Sequence, residues 1–120
     1  MKYLLLIHMN PVAFEALSEE ERAAIGSAHG PFQAALKETG ELIGWAALAD
    51  PSNSRVVRVS DAGQTVTDGP FAEAKEFLAG YYVVDCDTVD RAVELAAMMP
   101  EAGFNGVEVR PLMDDSGLEM

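Results

Sequence analysis

Residues 2–8 read KYLLLIH, and this short apolar run decides the fold. A second run of the same kind, YYVV, occupies residues 81–84. Successive side chains of a β-strand point to opposite faces, so an uninterrupted apolar run places apolar groups on both faces. Neither run approaches the ~20 residues that a membrane-spanning helix needs. We therefore expect two central strands, each buried on both faces of a sheet.

A long helix follows the first strand. Ser18 and Glu21 have the spacing of a capping box, which predicts a helix start at this point. Gly40 is the expected C-terminal stop. Pro31 lacks an N–H and crowds the preceding turn, so we expect a kink or break near Gly30.

A second helix is predicted after residues 77–84. Asp87 or Thr88 is the expected N-cap, and Pro100 ends the helix. Its predicted apolar stripe has helical spacing and consists of Val89, Val93, Ala96 and Ala97. The remaining strands are predicted at residues 41–48, 55–59, 64–67 and 106–111, with Gly63 in the turn of a hairpin.

This order of elements predicts an α+β protein with a ferredoxin-like split βαβ arrangement, a β-hairpin insert and an antiparallel sheet. Residues 1–113 form the predicted single domain, and the acidic residues 114–120 form a tail that is expected to fray.

Two helices cover only one face of a four-stranded sheet. A second copy of the chain, packed sheet against sheet, is the expected cover, and the predicted state is a homodimer. An apolar ligand cavity is the alternative.

Composition narrows the class of partner. The 120 residues contain 8 Lys and Arg against 20 Asp and Glu, a net charge of −12. This balance disfavours nucleic acids and anionic membrane surfaces, which basic side chains bind. The lone Cys86 excludes an internal disulfide and fits a cytoplasmic protein. Its neighbours Asp85 and Asp87 argue against an activated thiol.

His29 is the first candidate for chemistry, because it lies in the long helix beside the expected break. The alternative is a half-buried histidine satisfied by solvent or a carbonyl. On a straight helix Glu38, nine residues on, lies on the opposite side, so the spacing alone does not predict a His–Glu dyad. His8, at the end of the first strand, is either a strand cap or a site residue. Phosphate-binding loops and paired metal-binding motifs are missing from the sequence, and no cofactor or metal is expected.

The stretch DGPFAEAKE, residues 68–76, is the most distinctive local sequence. Asp68 can accept backbone N–H bonds, and Gly69 and Pro70 restrict the turn. Phe71 is expected to anchor this loop in apolar surroundings. Asp68 and Glu73 can instead direct a carboxylate into a pocket.

Three stretches carry a family resemblance. The opening MKYLLLI, the loop DGPFAEAKE followed by Gly80-Tyr81-Tyr82, and the closing strand VEVRP at residues 107–111 resemble the DGPF branch of the YCII-related proteins. The resemblance spans nearly the whole chain. It implies a ferredoxin-like fold that dimerises into an α/β barrel.

The resemblance also implies a site. Related YCII-like proteins have a His and an Asp shortly before a Gly-x-Leu, and His29 with Glu38 resembles this pair, with Glu in place of Asp. Some related sequences accompany, or are fused to, extracytoplasmic-function sigma factors.

Two functions are therefore expected. In the first, a small-molecule enzyme uses His29 as general acid or base in the dimer cleft, oriented by Glu38 or Asp68. In the second, the chain is a non-catalytic ligand-binding or regulatory interaction module associated with sigma factors.

Overall fold

The computed structural model describes residues 1–71 and 75–118 of the chain. These contain six strands, β1 (Lys2–Met9), β2 (Leu42–Ala47), β3 (Arg55–Ser60), β4 (Gly63–Asp68), β5 (Phe77–Asp85) and β6 (Val107–Pro111). They also contain three α-helices, α1 (Pro11–Glu15), α2 (Glu19–Thr39) and α3 (Val89–Ala97). Short 3-10 turns occupy Pro51–Asn53 and Pro100–Ala102. The α+β class is confirmed, and every predicted strand is present with its ends shifted by at most one residue.

The main sheet has the strand order β2-β5-β1-β6, and all three neighbouring pairs are antiparallel. Each of the two apolar runs lies in one of the central strands, β1 and β5. Strands β3 and β4 pair only with each other and form a separate hairpin between β2 and β5. This is the ferredoxin-like split βαβ order with the expected hairpin insert.

Helix α2 begins and ends where the sequence indicates. The Ser18 and Glu21 side chains each bond the other residue's backbone N–H, which completes the capping box. Gly40 ends the helix in the left-handed conformation with φ of 80°. The predicted break near Gly30 is wrong, because the helix continues through Pro31 to Thr39. A proline removes one helical hydrogen bond, and the flanking turns keep the helix continuous.

The apolar face of α3 is rotated from the predicted stripe. Ala92, Leu95 and Ala96 are buried against the sheet, whereas Val89 and Val93 are about half exposed. The buried set has the same helical spacing and continues to Met99. Two stripes at this spacing were available in the sequence, and packing against β1 and β6 selects the one with the leucine.

The hydrophobic core lies between the helices and one face of the sheet. Leu5, Tyr82 and Val84 from the central strands pack there with Phe32 and Leu36 of α2. Because side chains alternate, Leu4, Leu6, Tyr81 and Val83 lie on the opposite face. We call these four residues the outer face, and none of them belongs to the core cluster.

The loop after β4 does not enter this core. Gly69 adopts a positive φ of 97° and donates its N–H to the Ser54 carbonyl, 2.8 Å away. The expectation that Phe71 anchors the loop in apolar surroundings is wrong, because its side chain is 77% exposed. The hairpin stands apart from the main sheet, and the guanidinium of Arg58 lies 5.4 Å from the Phe71 ring centre. Residues 72–74 of the distinctive stretch lie outside the described residues.

Cys86 is buried at the end of β5. Burial raises the pKa of its thiol above the ordinary value, and the nearby Glu41 carboxylate acts in the same direction. The predicted absence of thiol activation therefore agrees with its surroundings.

In the described part of the chain, no helix has the length and apolar character needed to cross a membrane.

Candidate functional site

His29 is held by two side chains from distant parts of the chain. Its Nδ1 lies 2.8 Å from the hydroxyl of Tyr82 on β5, and its Nε2 lies 2.6 Å from Oε2 of Glu101. Both contacts are within hydrogen-bond distance. The side chain of Gln33, one helical turn after His29, donates to the same Tyr82 hydroxyl at 3.0 Å. The four side chains form one continuous network between α2, β5 and the Pro100–Ala102 turn.

Glu101 is fixed by the turn that carries it. Pro100 starts a single 3-10 turn just after α3. The Glu101 main-chain carbonyl accepts three N–H bonds, from Phe104, Asn105 and Gly106. These bonds fold the following loop back on the turn, and the Glu101 residue is only 3% exposed. Its carboxylate is therefore held in place beside His29.

One oxygen of this carboxylate has no partner among the described residues. Oε2 of Glu101 meets His29, whereas Oε1 is buried and makes no hydrogen bond within the described part of the chain. Buried carboxylate oxygens are normally paired, because burial without a donor is costly. This oxygen is the unsatisfied acceptor of the site.

The network fixes the hydrogen positions of the uncharged imidazole. An ionised Glu101 accepts only, so Nε2 of His29 must donate to it. Nδ1 then accepts the Tyr82 O–H, and the Tyr82 oxygen accepts from Gln33. Every polar contact among these four side chains is satisfied by this single arrangement.

Tyr82 is held as a neutral phenol. Burial raises its pKa above the ordinary value; the Gln33 hydrogen bond opposes the rise and the charge of Glu101 adds to it. The ring packs edge-on against Phe32, with centroids 5.1 Å apart, and stacks on Trp45 with centroids 6.2 Å apart and ring planes at 27°. These contacts orient the hydroxyl toward His29.

A pocket of about 460 Å³ opens at this network. This volume lies within the usual range for small-molecule sites. The lining is mostly apolar or small and consists of Ile7, Met9, Gly26, His29, Gly30, Gln33, Trp45, Ala46, Ala47, Ala79, Gly80, Tyr82 and Glu101. The pocket lies between α2 and the β2–β5 edge of the sheet, so it is bounded by both layers of the fold.

The structure brings only one of the three sequence candidates into this pocket. His29 lines it, whereas Glu38 is exposed near the C-terminal end of α2. Asp68 is 89% exposed and pairs with Arg55 of the neighbouring strand at 3.3 Å. The carboxylate beside His29 is Glu101 instead. His8 lies at the other side of β1, where its Nε2 meets Glu108 of β6 at 2.8 Å.

Sequence reasoning missed Glu101, Tyr82, Gln33 and Trp45. Glu101 is 72 residues from His29 in the chain, and no local pattern connects them. A usable signal did exist on α2: Gly26, His29, Gly30 and Gln33 follow helical spacing and form a small and polar stripe. Such a stripe marks a helix face that leaves space beside the sheet.

Among the described residues, no group of three His, Cys, Asp or Glu has the arrangement of a metal site.

Comparison with known proteins agrees with the resemblance to YCII-related proteins. Residues 1–115 match the YCII-related domain family. The chain belongs to the YCII-related family. It is also 33% identical over 114 residues to an uncharacterized protein of Rhizobium meliloti (strain 1021), an alignment that covers 93% of this chain and 92% of that protein.

Proposed function

We propose that this YCII-related protein is a small-molecule enzyme that moves a proton through Tyr82 and His29. The supporting observation is the continuous contact from Glu101 to His29 to Tyr82 at a largely apolar pocket. A buried carboxylate beside an imidazole stabilises the charged imidazolium when it forms. The order carboxylate, imidazole, hydroxyl is also the order used in hydrolase triads, with a phenol in place of serine.

The proton balance of the relay is simple. As a base, the Tyr82 oxygen takes a proton from the ligand while its own proton passes to Nδ1 of His29. The product is an imidazolium whose Nε2–H faces the Glu101 carboxylate. As an acid, the same steps run in reverse, and the ligand gains the proton. Tyr82 ends each step as a neutral phenol, which fits its raised pKa.

The proposed active form is a homodimer. Helices α2 and α3 pack on one face of the sheet, and the outer face of Leu4, Leu6, Tyr81 and Val83 carries apolar side chains from both central strands. A second copy packed sheet against sheet covers that face. This supports the dimeric α/β barrel that the DGPF resemblance implies.

Ligand discovery and turnover test the proposed enzyme. A thermal-shift screen of wild type against uncharged, cationic and anionic metabolites identifies ligands, since saturation at 100 times the Kd stabilises by about 2.7 kcal/mol. Each hit is then incubated with enzyme in D2O and followed by proton NMR for product or for exchange of ligand hydrogens. We expect turnover in wild type, and loss of about 10²-fold or more in His29→Ala and Tyr82→Phe.

The matched control replaces the other histidine. His8→Ala removes an imidazole that pairs with Glu108 on the far side of β1, and we expect it to keep wild-type turnover. Turnover that survives His29→Ala would contradict the proposal. A complete absence of ligands would favour the interaction-module alternative.

A further inference from the structure

The helix side of the pocket is open at Gly26. Gly26 and Gly30 lie one turn apart on α2, and both line the pocket. A Cβ built on Gly26 meets no neighbouring atom within 4 Å, and the backbone there has no positive φ that would require glycine. Glycine is unfavourable in a helix interior, so neither packing nor backbone conformation accounts for this position. The missing side chain leaves room beside the sheet for a ligand.

The sheet side of the pocket offers an aromatic surface. Trp45 of the edge strand β2 lines the pocket and is 49% exposed. Its ring stacks on the buried Tyr82, which sets the orientation of the indole while half of its surface stays accessible. Aromatic rings of a ligand stack on such a surface. The lining beside it consists of the small residues Ala46, Ala79 and Gly80, which do not obstruct a flat ring.

Gln33 supplies polar atoms that a ligand can reach. Its Nε2 donates to the Tyr82 hydroxyl at 3.0 Å, so Oε1 is the end of the amide that the relay does not use. Oε1 makes no hydrogen bond within the described chain. It is also accessible, because the one buried side-chain oxygen or nitrogen without a partner among the described residues is Oε1 of Glu101. Nε2 carries a second hydrogen, so the Gln33 amide offers a ligand one acceptor and one donor.

A cis amide within a ring is the complement of the Gln33 amide. It carries an N–H and a C=O side by side, so its N–H can donate to Oε1 while its oxygen accepts from Nε2. A carboxylate or an ether has no donor, and an ammonium has no acceptor. Each of these groups makes at most one of the two kinds of hydrogen bond. The polar atoms of the pocket therefore favour an amide edge.

We infer that the pocket binds a flat ring with an amide edge, the adjacent N–H and C=O of a pyridone-type lactam, which stacks on Trp45 and pairs with Gln33. This ligand class is assigned to the pocket of the function proposed above and rests on that proposal. The chain contains a single tryptophan, so the Trp45 indole N–H gives one signal in a ¹H–¹⁵N spectrum. This signal reports binding without any turnover, because Trp45 lines the pocket.

Four probes with one ring test the amide edge and the stacking. The full chain, labelled with ¹⁵N, is titrated with 2-pyridone, 5-methyl-2-pyridone, N-methyl-2-pyridone and 2-piperidone while the Trp45 indole signal is followed. We expect saturable binding of 2-pyridone, and a similar Kd for the 5-methyl isomer, which keeps the N–H. The N-methyl isomer has the same size and no donor, so it should bind about fivefold more weakly. The ring of 2-piperidone is not aromatic, so this lactam should also bind more weakly.

Variants tie the signal to the residues. Gln33→Met keeps the length of the side chain and removes its amide, so 2-pyridone and N-methyl-2-pyridone should bind with equal Kd. Gln64→Met makes the same change on the exposed strand β4 and should preserve the preference. Gly26→Leu places a side chain in the pocket and should abolish saturable binding, whereas Ala24→Leu, exposed on the other side of α2, should not. If Gln33→Met does not fold, the wild-type probe series and the Gly26 pair still decide.

Each outcome separates the ligand class from the proposed enzyme. Equal binding of 2-pyridone and N-methyl-2-pyridone to wild type, a preference that Gln33→Met retains, tighter binding of 2-piperidone, or no saturable probe would overturn the inferred ligand class. His29-dependent turnover of a ligand that has no amide edge would overturn it and leave the proposed enzyme standing. Gln33-dependent binding of ring amides without His29-dependent turnover of any ligand would support the ligand class and contradict the enzyme.

Discussion

His29 and Glu101 illustrate at the scale of single residues how a buried charge is tolerated. Glu101 is nearly inaccessible to solvent, and the imidazole of His29 is its one side-chain partner within the described chain. Removing the one hydrogen-bond partner of a buried carboxylate leaves that group unsatisfied, which costs more than the hydrogen bond contributes. The stability of the fold is therefore coupled to the integrity of the candidate site.

We predict that His29→Ala lowers the free energy of unfolding by about 3 kcal/mol, the scale for a buried charged group that loses its hydrogen-bond partner. The double variant His29→Ala/Glu101→Met should recover part of this loss, because it also removes the stranded carboxylate. Urea denaturation of wild type, both single variants and the double variant gives the coupling energy. Strict additivity of the two single losses would contradict the assigned contact.

At the scale of secondary-structure elements, two glycines of the pocket have opposite roles. Gly26 faces open space, whereas a Cβ on Gly80 of β5 would lie 2.8 Å from the Ala46 carbonyl oxygen of β2. We predict that Gly26→Ala stabilises the fold by about 0.5–1 kcal/mol, the helix propensity difference. Gly80→Ala should destabilise it by about 1–3 kcal/mol, since the two strands must separate. Thermal unfolding of the two variants tests both signs, and stabilisation by Gly80→Ala would contradict the strand packing described.

A second element-scale contact joins α3 to the start of β2. Arg91 binds both carboxylate oxygens of Glu41, through Nε and Nη2, each at 2.9 Å. This pairing holds the pKa of Glu41 below its ordinary value, chiefly through the Arg91 hydrogen bonds. A lowered folded-state pKa contributes stability above the unfolded-state value, near 4.5, that is lost as pH falls through the folded-state value.

We therefore predict that wild type loses more stability than Glu41→Gln when the pH falls from 6 to about 3. The comparison is the change in urea midpoint of each protein between the two pH values. A matched Glu20→Gln variant, at an exposed position on α2, should lose as much as wild type. Equal acid sensitivity of Glu41→Gln and wild type would show that this pair does not contribute to the pH dependence.

Elements with strong local signals were predictable from the sequence. Apolar runs identified β1 and β5, and the capping box and Gly40 identified the ends of α2. The face of α3 was not predictable, because Val89 with Val93 and Ala92 with Leu95 both have helical spacing. The partner of His29 was not predictable either, since the contact with Glu101 depends on how the turn after α3 packs against α2.

At the scale of the whole molecule, the outer face is covered by neither helix, although Leu6 and Val83 are only 7% exposed within one chain. Leu4 and Val83 lie opposite each other on the central strands, on the face away from both helices. Leu4 and Tyr81 on this face keep part of their surface in contact with solvent, and burying that apolar surface favours association. This is the physical basis for the proposed homodimer.

We predict that light scattering of wild type at micromolar concentration gives twice the 12.9 kDa mass of one chain. Leu4→Glu places a charge on the outer face and should yield a monomer, since an unpaired charge is costly to bury. Val93→Glu makes a comparable change on the exposed side of α3 and should remain dimeric. A monomeric wild type, or a Leu4→Glu variant that stays dimeric, would contradict sheet-to-sheet association.

The proton position on His29 is the measurement that tests the relay most directly. Long-range ¹H–¹⁵N NMR distinguishes the two tautomers of an uncharged imidazole, and His8→Ala assigns the signals because the chain contains only 2 histidines. The relay predicts a proton on Nε2, donated to Glu101, with Nδ1 free to accept from Tyr82. In Glu101→Met the proton should move to Nδ1, where the Tyr82 oxygen can accept it. A wild-type proton on Nδ1, or a tautomer that Glu101→Met leaves unchanged, would contradict the relay.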